Sequence, residues 1–564
     1  MLSVISLTKI FNSNGKWLER KQNSILSAAL VITLANIFSS VFGLWRERVL
    51  INQFFSTDVS QKAYEAFQVA FQIPDMIFQL IVMGALAASF IPLFTELKKK
   101  NEKDAFHFTS IVMNWVLLVF LVVSVLAFIF AEPITAFRTG VEFTPEQIAT
   151  AVKLTRLMLF AQIFFAISNF LTGILQAYQR FVAPALAPIF YNLGIMLGTV
   201  FLAKYFGIYA AGLGVLIGAF LHMAIQLPLV WKMGFRFKFD FNLKFTSVKK
   251  LFSLMPPRLL TVGVTEFQNL AMGFFATTIG DLSFVVVKLA SRLMSLPIRF
   301  FGVPISQASL SFLSEESAVE NRQKFNRLLL QSLNQIAFFA MPASVLLLIL
   351  RVPIVRLVFG TYNFPWGTTV LTGKVVAIIA ISITAQAMVQ LLVRAFHALK
   401  DTKTPFIITL VTVASYLLVS YLSVFVFSLD VLGLGLAISF SAFLELILFL
   451  FLLNKKLACF NNKEFWGPQI KILASSFFMA VFLYLPFKIL DEVVFDTSKT
   501  IDLIALTVST ASVASLVYIY FSVLFDVKEL TYFRNILGKF GKWKEAIEDS
   551  SEVLLDSSTT DSER

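Results

Sequence analysis

Apolar residues run in long blocks from about residue 25 to residue 525, divided by short polar loops. An α-helix rising 1.5 Å per residue needs about 20 residues to cross a hydrocarbon core of about 30 Å. By that criterion about fourteen spans are expected. They lie near residues 25–55, 62–94, 105–132, 147–176, 184–204, 208–231, 251–279, 283–314, 326–353, 368–396, 406–427, 431–453, 468–487 and 500–525. A transmembrane barrel would instead carry a series of period-2 segments of about ten residues, and the chain does not. The predicted fold class is an all-α polytopic membrane protein. One block departs from uniform apolarity. In "YEAFQVAFQIPDMIFQ" the polar residues Glu65, Gln68, Gln72, Asp75 and Gln79 recur at steps of 3, 4, 3 and 4. That spacing puts a polar rail on one helix face, with Pro74 as an expected bend.

Composition agrees with the pattern. The 564 residues are 57% hydrophobic and 14% charged, against about a quarter charged in soluble chains. Mean hydropathy is +0.79. The net charge of +13 sits mostly in alternate short loops, as the positive-inside rule describes, so nucleic acid is not an expected partner. Basic loops include Lys98 to Lys103, residues 231–250, Arg322 to Arg327, Lys400 to Lys403, and Lys455 with Lys456. Both termini are therefore expected on the cytoplasmic side. One cysteine, Cys459, excludes an internal disulfide, and His107, His222 and His397 are too scattered to suggest a metal centre. Residues 1–24 lack the continuous apolar core of a signal peptide and read as a cytoplasmic or interfacial segment. The expected organisation continues with an N-lobe (25–231), a basic linker (232–250) and a C-lobe (251–453). Two further spans (454–525) and a cytoplasmic tail (526–564) with a disordered end complete it. A faint repeat between "QIPDMIF…ALAASFIPLFTE" and "SLPIRFF…SQASLSFLSEE" suggests two pseudo-symmetric six-helix bundles, a common transporter design.

Ionisable residues inside a membrane cost about 2.5–3.5 kcal/mol on insertion scales, so they need partners, water or a task. In "SFVVVKLASRLMSLPIRFFGV", Lys288, Arg292, Ser295 and Arg299 share one helical face. The cations span about 16 Å, too far to snorkel together to one interface. The first span brings Arg46, Glu47 and Arg48 together, with Gly43 one turn before Arg46. The seventh supplies Arg258, Glu266, Gln268 and Asn269. Arg48, Arg258 and Arg394 also suit interfacial anchoring, and Glu445 suits a helix–helix hydrogen bond. A water-filled cavity at the cationic face would suit phosphate or pyrophosphate, which arginine grips with two parallel bonds.

Several segments resemble the MurJ/MviN-type lipid II flippases of the multidrug/oligosaccharidyl-lipid/polysaccharide exporter superfamily. They are "VFGLWRERVL" (41–50), "EAFQVAFQIPDMI" (65–77), "GALAASFIPLFTE" (84–96), "AYQRFVAPALAPIFYNLG" (177–194), "SRLMSLPIRFFGV" (291–303) and "RAFHALKDTKTP" (394–405). The resemblance covers most of residues 25–525. It implies two six-helix bundles plus two C-terminal helices flanking a groove for a polyprenyl tail. It implies alternating access through a cationic central cavity, without bond chemistry, moving undecaprenyl-pyrophosphate-linked peptidoglycan precursor across the bacterial cytoplasmic membrane. Arg46 and Arg292 match two family arginines expected to hold the pyrophosphate. Where the family commonly has further arginines this chain has Ser40 and Phe78, and where it has acidic residues this chain has Met83 and Ser291. Lys288, Arg299 and Arg258, with Gln72 and Gln268, complete the expected substrate-binding set. Glu65, Glu47, Arg48 and Glu266 form the expected gating or ion-pair set, with Glu65 pairing with Arg46 in one conformation and Gln68, Gln72 and Gln79 offering bonds to water or sugar.

No catalytic residue, metal site or cofactor is expected; Na⁺ or proton coupling through Glu65 or Glu266 stays open. Expected partners are lipid II or a related polyprenyl-pyrophosphate lipid, membrane lipids and cell-wall synthesis proteins. Competing readings are an exporter of another polyprenyl-linked saccharide, a multidrug-type cation antiporter and a pseudo-transporter scaffold. A membrane enzyme finds no Gly-rich phosphate loop or catalytic cluster.

Overall fold

The computed structural model describes residues 25–83, 90–280, 282–318, 321–460, 463–493 and 499–530. The expectations for residues 1–24 and for the tail beyond 530 lie outside these. Among the described residues the regular structure is helical, with no strand. The chain begins with Ile25–Phe54 (α1), Asp58–Ala70 (α2) and Gln72–Phe78 (α3), which runs into a π-helical turn at Gln79–Met83. Phe90–Lys100 (α4), Glu102–Ile129 (α5), Ala131–Arg138 (α6), Pro145–Ala177 (α7), Val182–Phe206 (α8), Tyr209–Ala224 (α9) and Leu227–Lys232 (α10) follow. Then come Thr246–Leu254 (α11), Pro256–Ile279 (α12), Ser283–Pro297 (α13), a π-turn at Ile298–Gly302, Val303–Ala318 (α14), Arg322–Ile349 (α15) and Arg351–Phe359 (α16). The last are Trp366–Ala380 (α17), Ile383–Ala398 (α18), Lys403–Tyr421 (α19), Asp430–Leu457 (α20), Lys463–Val493 (α21) and Thr500–Leu524 (α22).

Among the described residues nine helices are long and apolar enough to cross a membrane, and the broken pair α17–α18 makes a tenth. The other four expected spans are the first, second, seventh and eighth. These carry the ionisable residues or are interrupted.

The second span is interrupted at Phe71, three residues before the expected bend at Pro74. Pro74 has no N–H, so the carbonyl of Ala70 loses its helical donor. Thr155 Oγ1 on α7 donates to that carbonyl at 3.2 Å, and Arg138 Nη2 donates to the Val69 carbonyl at 2.7 Å. Side chains from neighbouring helices thus complete the backbone at the break. The eighth span is interrupted after Pro297, where the Val303 N–H reaches back to the Ile298 carbonyl. Elsewhere close packing is built from small residues. A Cβ added at Gly194 on α8 would lie 2.4 Å from Gly218 Cα on α9, so only glycine lets these helices approach so closely.

The chain separates into two compact units. Of the described residues, the first comprises those in 25–296, 351–382 and 402–445, and the second those in 297–350, 383–401 and 446–530. The first has a core of Leu50, Phe67, Ile195, Val286, Val375 and Tyr416 among others. In the second, α21 and α22 pack through Phe478 and Phe521, stacked at 4.3 Å, and Gln469 Nε2 on α21 donates to Asn334 Oδ1 on α15 at 2.8 Å.

Candidate functional site

The site lies in the first unit and is built on helix geometry. Successive residues on α1 point about 100° apart, so Arg46 and Glu47 share a side while Arg48 turns away. The Arg48 guanidinium donates to the carbonyl of Leu357 in the last turn of α16, where helix carbonyls lack intrahelical donors. That is a helix-end contact, not the cavity.

Glu47 has no exposed surface. Its Oε1 accepts from Tyr64 Oη at 2.9 Å and Gln68 Nε2 at 2.7 Å. Its Oε2 meets Arg46 Nη2 at 2.9 Å and Arg292 Nη1 at 2.6 Å. Arg46 Nη1 also donates to Asn192 Oδ1 on α8 at 3.1 Å. One carboxylate therefore gathers donors from α1, α2 and α13. Buried ions persist only with such near-complete hydrogen bonding.

Above this cluster opens a cavity of about 270 Å³. Its ionisable lining is Arg46, Lys288 and Arg292 against Glu47, Asp75 and Glu266, three of each sign, so formal charges balance in this conformation. The uniformly cationic surface expected from α13 is thereby tempered by acids from three other helices. Lys288 sits 5.4 Å from the ring of Phe284.

Gln72 lines the cavity but is engaged within the protein. Its Nε2 donates to the Asn269 carbonyl on α12 at 2.7 Å, and its Oε1 accepts from Arg138 Nη1 at 2.5 Å. Gln68 and Gln72, expected to offer bonds to water or sugar, both have their amides bonded within the protein in this conformation, where they brace the site. A Cβ at Gly273 would fall 2.5 Å from Gln72 Oε1, so α12 needs glycine there to admit this amide.

The structure thus brings Arg46, Glu47, Gln72, Glu266, Lys288 and Arg292 around one cavity. Glu65 is buried elsewhere and accepts from Gln147 Nε2 at 3.0 Å. Glu65 is expected to pair with Arg46 in one conformation; in this one Arg46 pairs instead with Glu47, its neighbour on the same side of α1. Gln268 is part-buried and not in the lining. Arg299 is exposed in the π-turn, where the α-helical register of the expected cationic face ends. The side chain of Arg258 lies outside the described residues. Sequence reasoning missed Tyr64, Tyr191, Asn192 and Arg138; Asp75 entered it as part of the rail and as one of the acids that suit a cation antiporter. Among the described residues no cluster of three or more His, Cys, Asp or Glu could hold a metal ion.

The second unit holds a different pocket, about 220 Å³, lined by Phe301, Phe338, Phe339, Pro342, Met479 and Tyr518 among others. Phe301 and Phe339 stack at 5.3 Å, and Tyr518 donates its hydroxyl to the Phe338 carbonyl at 2.7 Å.

Long apolar helices around an ion-lined cavity are the build of a membrane transporter. The family model for lipid II flippase MurJ matches residues 59–502, and the chain belongs to that family. The lipid II flippase MurJ of Burkholderia cenocepacia is 26% identical over 78% of this chain and 86% of its own length. That of Thermosipho africanus is 28% identical over 82% and 91%. A solved lipid II flippase MurJ in an inward closed conformation superposes with a TM-score of 0.71 at 23% identity, covering 90% of this chain and all of that one. An inward-facing multidrug resistance MATE family transporter of the MOP superfamily gives 0.62 at 14%, covering 76% and 98%. These structures share the fold.

Proposed function

We propose that this protein moves lipid II from the cytoplasmic to the outer leaflet of the bacterial cytoplasmic membrane by alternating access. The observation that carries this reading is the convergence of Arg46 and Arg292 on Glu47, beside a cavity that Lys288 also lines. Two guanidiniums from different spans are held ready by one carboxylate. A diphosphate offers more acceptor oxygens in the same place, and arginine forks match them bidentately. The pyrophosphate would share or take over the bonds now made to Glu47, and α1 and α13 would move as those bonds change partners. At about 270 Å³ the cavity suits a diphosphate but is small for a disaccharide-pentapeptide, so loading requires a more open state. The aromatic pocket of the second unit would take the polyprenyl chain.

Both termini face the cytoplasm in this reading, from the loop charges. Outward movement of an anionic head is favoured by an inside-negative potential, by up to about 2.3 kcal/mol per charge per 100 mV. Glu266 or Asp75 could also carry a coupling proton or Na⁺. The balanced lining supports a second reading, a cation antiporter, because Asp75 and Glu266 offer charge to a cationic drug. The test is rescue of cells depleted of their own lipid II flippase, alongside dye efflux. Rescue that is lost in Arg292→Ala supports lipid II transport. Dye efflux without rescue supports the antiporter.

A further inference from the structure

The long basic loop contains a pattern that transport through the cavity does not use. From 235 to 245 every odd position is apolar: Phe235, Phe237, Phe239, Phe241, Leu243 and Phe245. Every even position is polar: Arg236, Lys238, Asp240, Asn242 and Lys244. Period 2 is the signature of an extended chain with one apolar face. Residues 235–242 carry no regular helix or strand, so no sheet accounts for the alternation.

Side chains of α5 tie the segment down instead. Asn114 Nδ2 donates to the carbonyls of Lys238 and Asp240 at 2.9 and 2.8 Å, and Trp115 Nε1 donates to that of Phe241 at 3.1 Å. The Lys238 N–H reaches Ser110 Oγ at 3.3 Å, and the His107 ring meets Asp240 at 2.5 Å. Phe235 packs on Phe106 and Phe245 on Phe108, which buries the first end and half-buries the second. The middle is left out: Phe239 is 85% exposed, and Phe237 and Phe241 about 40%.

We infer that residues 235–245 are an interfacial strap whose partner is anionic phospholipid. Phe237, Phe239 and Phe241 enter the edge of the acyl region, and Arg236, Lys238 and Lys244 take lipid phosphates. Two observations favour lipid over a protein partner. The first is continuity. Phe241 sits edge-on to Trp115 at 5.4 Å, and Trp115 begins a stripe that runs through Leu118, Val119, Val122, Val125 and Leu126, the last five all exposed. An exposed apolar stripe on a spanning helix is its lipid face, and Trp at its end marks the interface. The second is depth. α5 has 28 residues, about 42 Å, against a core of about 30 Å. The surplus of about eight residues falls at its polar end, Glu102 to Thr109. The strap bonds at Ser110, Asn114 and Trp115, just where the core begins. Three basic groups against Asp240, which His107 already engages, add attraction for an anionic surface. Which leaflet this is rests on the orientation proposed above; the depth does not.

The test uses the full chain with Cys459→Ala and a spin label at Phe239→Cys, in nanodiscs of phosphatidylethanolamine and phosphatidylglycerol. Oxygen should reach the label at least severalfold more readily than a water-soluble nickel chelate, relative to a control label at Val141→Cys, which is also highly exposed. Equal behaviour at the two sites would overturn the strap. Shielding from both probes in native membranes, with free chelate access in nanodiscs, would mean a protein covers it and would also overturn it. A Lys238→Gln/Lys244→Gln variant should retain at least twofold less phosphatidylglycerol in native mass spectrometry. Unchanged retention would remove the phosphate contacts from the proposal.

Discussion

The cavity of the first unit and the pocket of the second are similar in volume, about 270 and 220 Å³, and opposite in chemistry. One is lined by six charged groups, the other by stacked aromatics and a tyrosine whose hydroxyl is turned onto backbone. A polar cavity must be held open by bonds among its own walls, because every unpaired ion there is costly. An apolar pocket needs no such network and can accept any chain of the right width.

The contrast can be broken most severely at Glu47. Glu47→Ala leaves Arg46 and Arg292 facing each other without their shared anion. A loss of about 3–5 kcal/mol is expected, read as a drop of several degrees in the midpoint of thermal inactivation in detergent. An unchanged midpoint would mean that the ions do not hold the walls. Next comes Arg292→Ala, expected to cost about 2–5 kcal/mol of diphosphate recognition, on the order of a hundredfold in rescue of flippase-depleted cells. Arg292→Lys should recover only part of this, since an ammonium lacks the planar fork. In the other region Phe339→Ala removes a stacked ring. About 1.5–3 kcal/mol of tail affinity should go, with binding of soluble pyrophosphate unchanged. Loss of pyrophosphate binding in that variant would merge the two sites. The smallest effect is expected at Gly273→Ala, which pushes the Gln72 amide away from Arg138. About 1–3 kcal/mol of stability should be lost, and Gln72→Ala should largely relieve the clash while leaving Arg138 with the Val69 carbonyl but without its side-chain acceptor.

The cationic half of the polar cavity is legible in the sequence, because Arg46, Lys288 and Arg292 stand out in apolar runs at a known cost. The fold class is legible for the same reason in reverse, from the uninterrupted runs of α5, α15 or α20. What the sequence withholds is rotation and register. Glu47 and Glu65 are both acids near Arg46, and only the facing of α1 against α2 decides between them. Asn192 and Tyr64 belong to common residue types in ordinary helical positions, and no local signal marks them as partners. Arg138 follows an apolar run and reads as a loop-edge cation, yet its bonds to Gln72 and Val69 make it a brace for the broken second span. Arg299 sits in a π-turn, which ends the register that spacing alone assumes.

The most direct test is outer-leaflet exposure of labelled lipid II in proteoliposomes with an inside-negative potential. Wild type and Phe339→Ala would be compared with Arg46→Ala/Arg292→Ala. The account predicts exposure by wild type, reduced exposure in the Phe339 variant and none above protein-free liposomes in the double variant. Equal exposure by wild type and the folded double variant would contradict it.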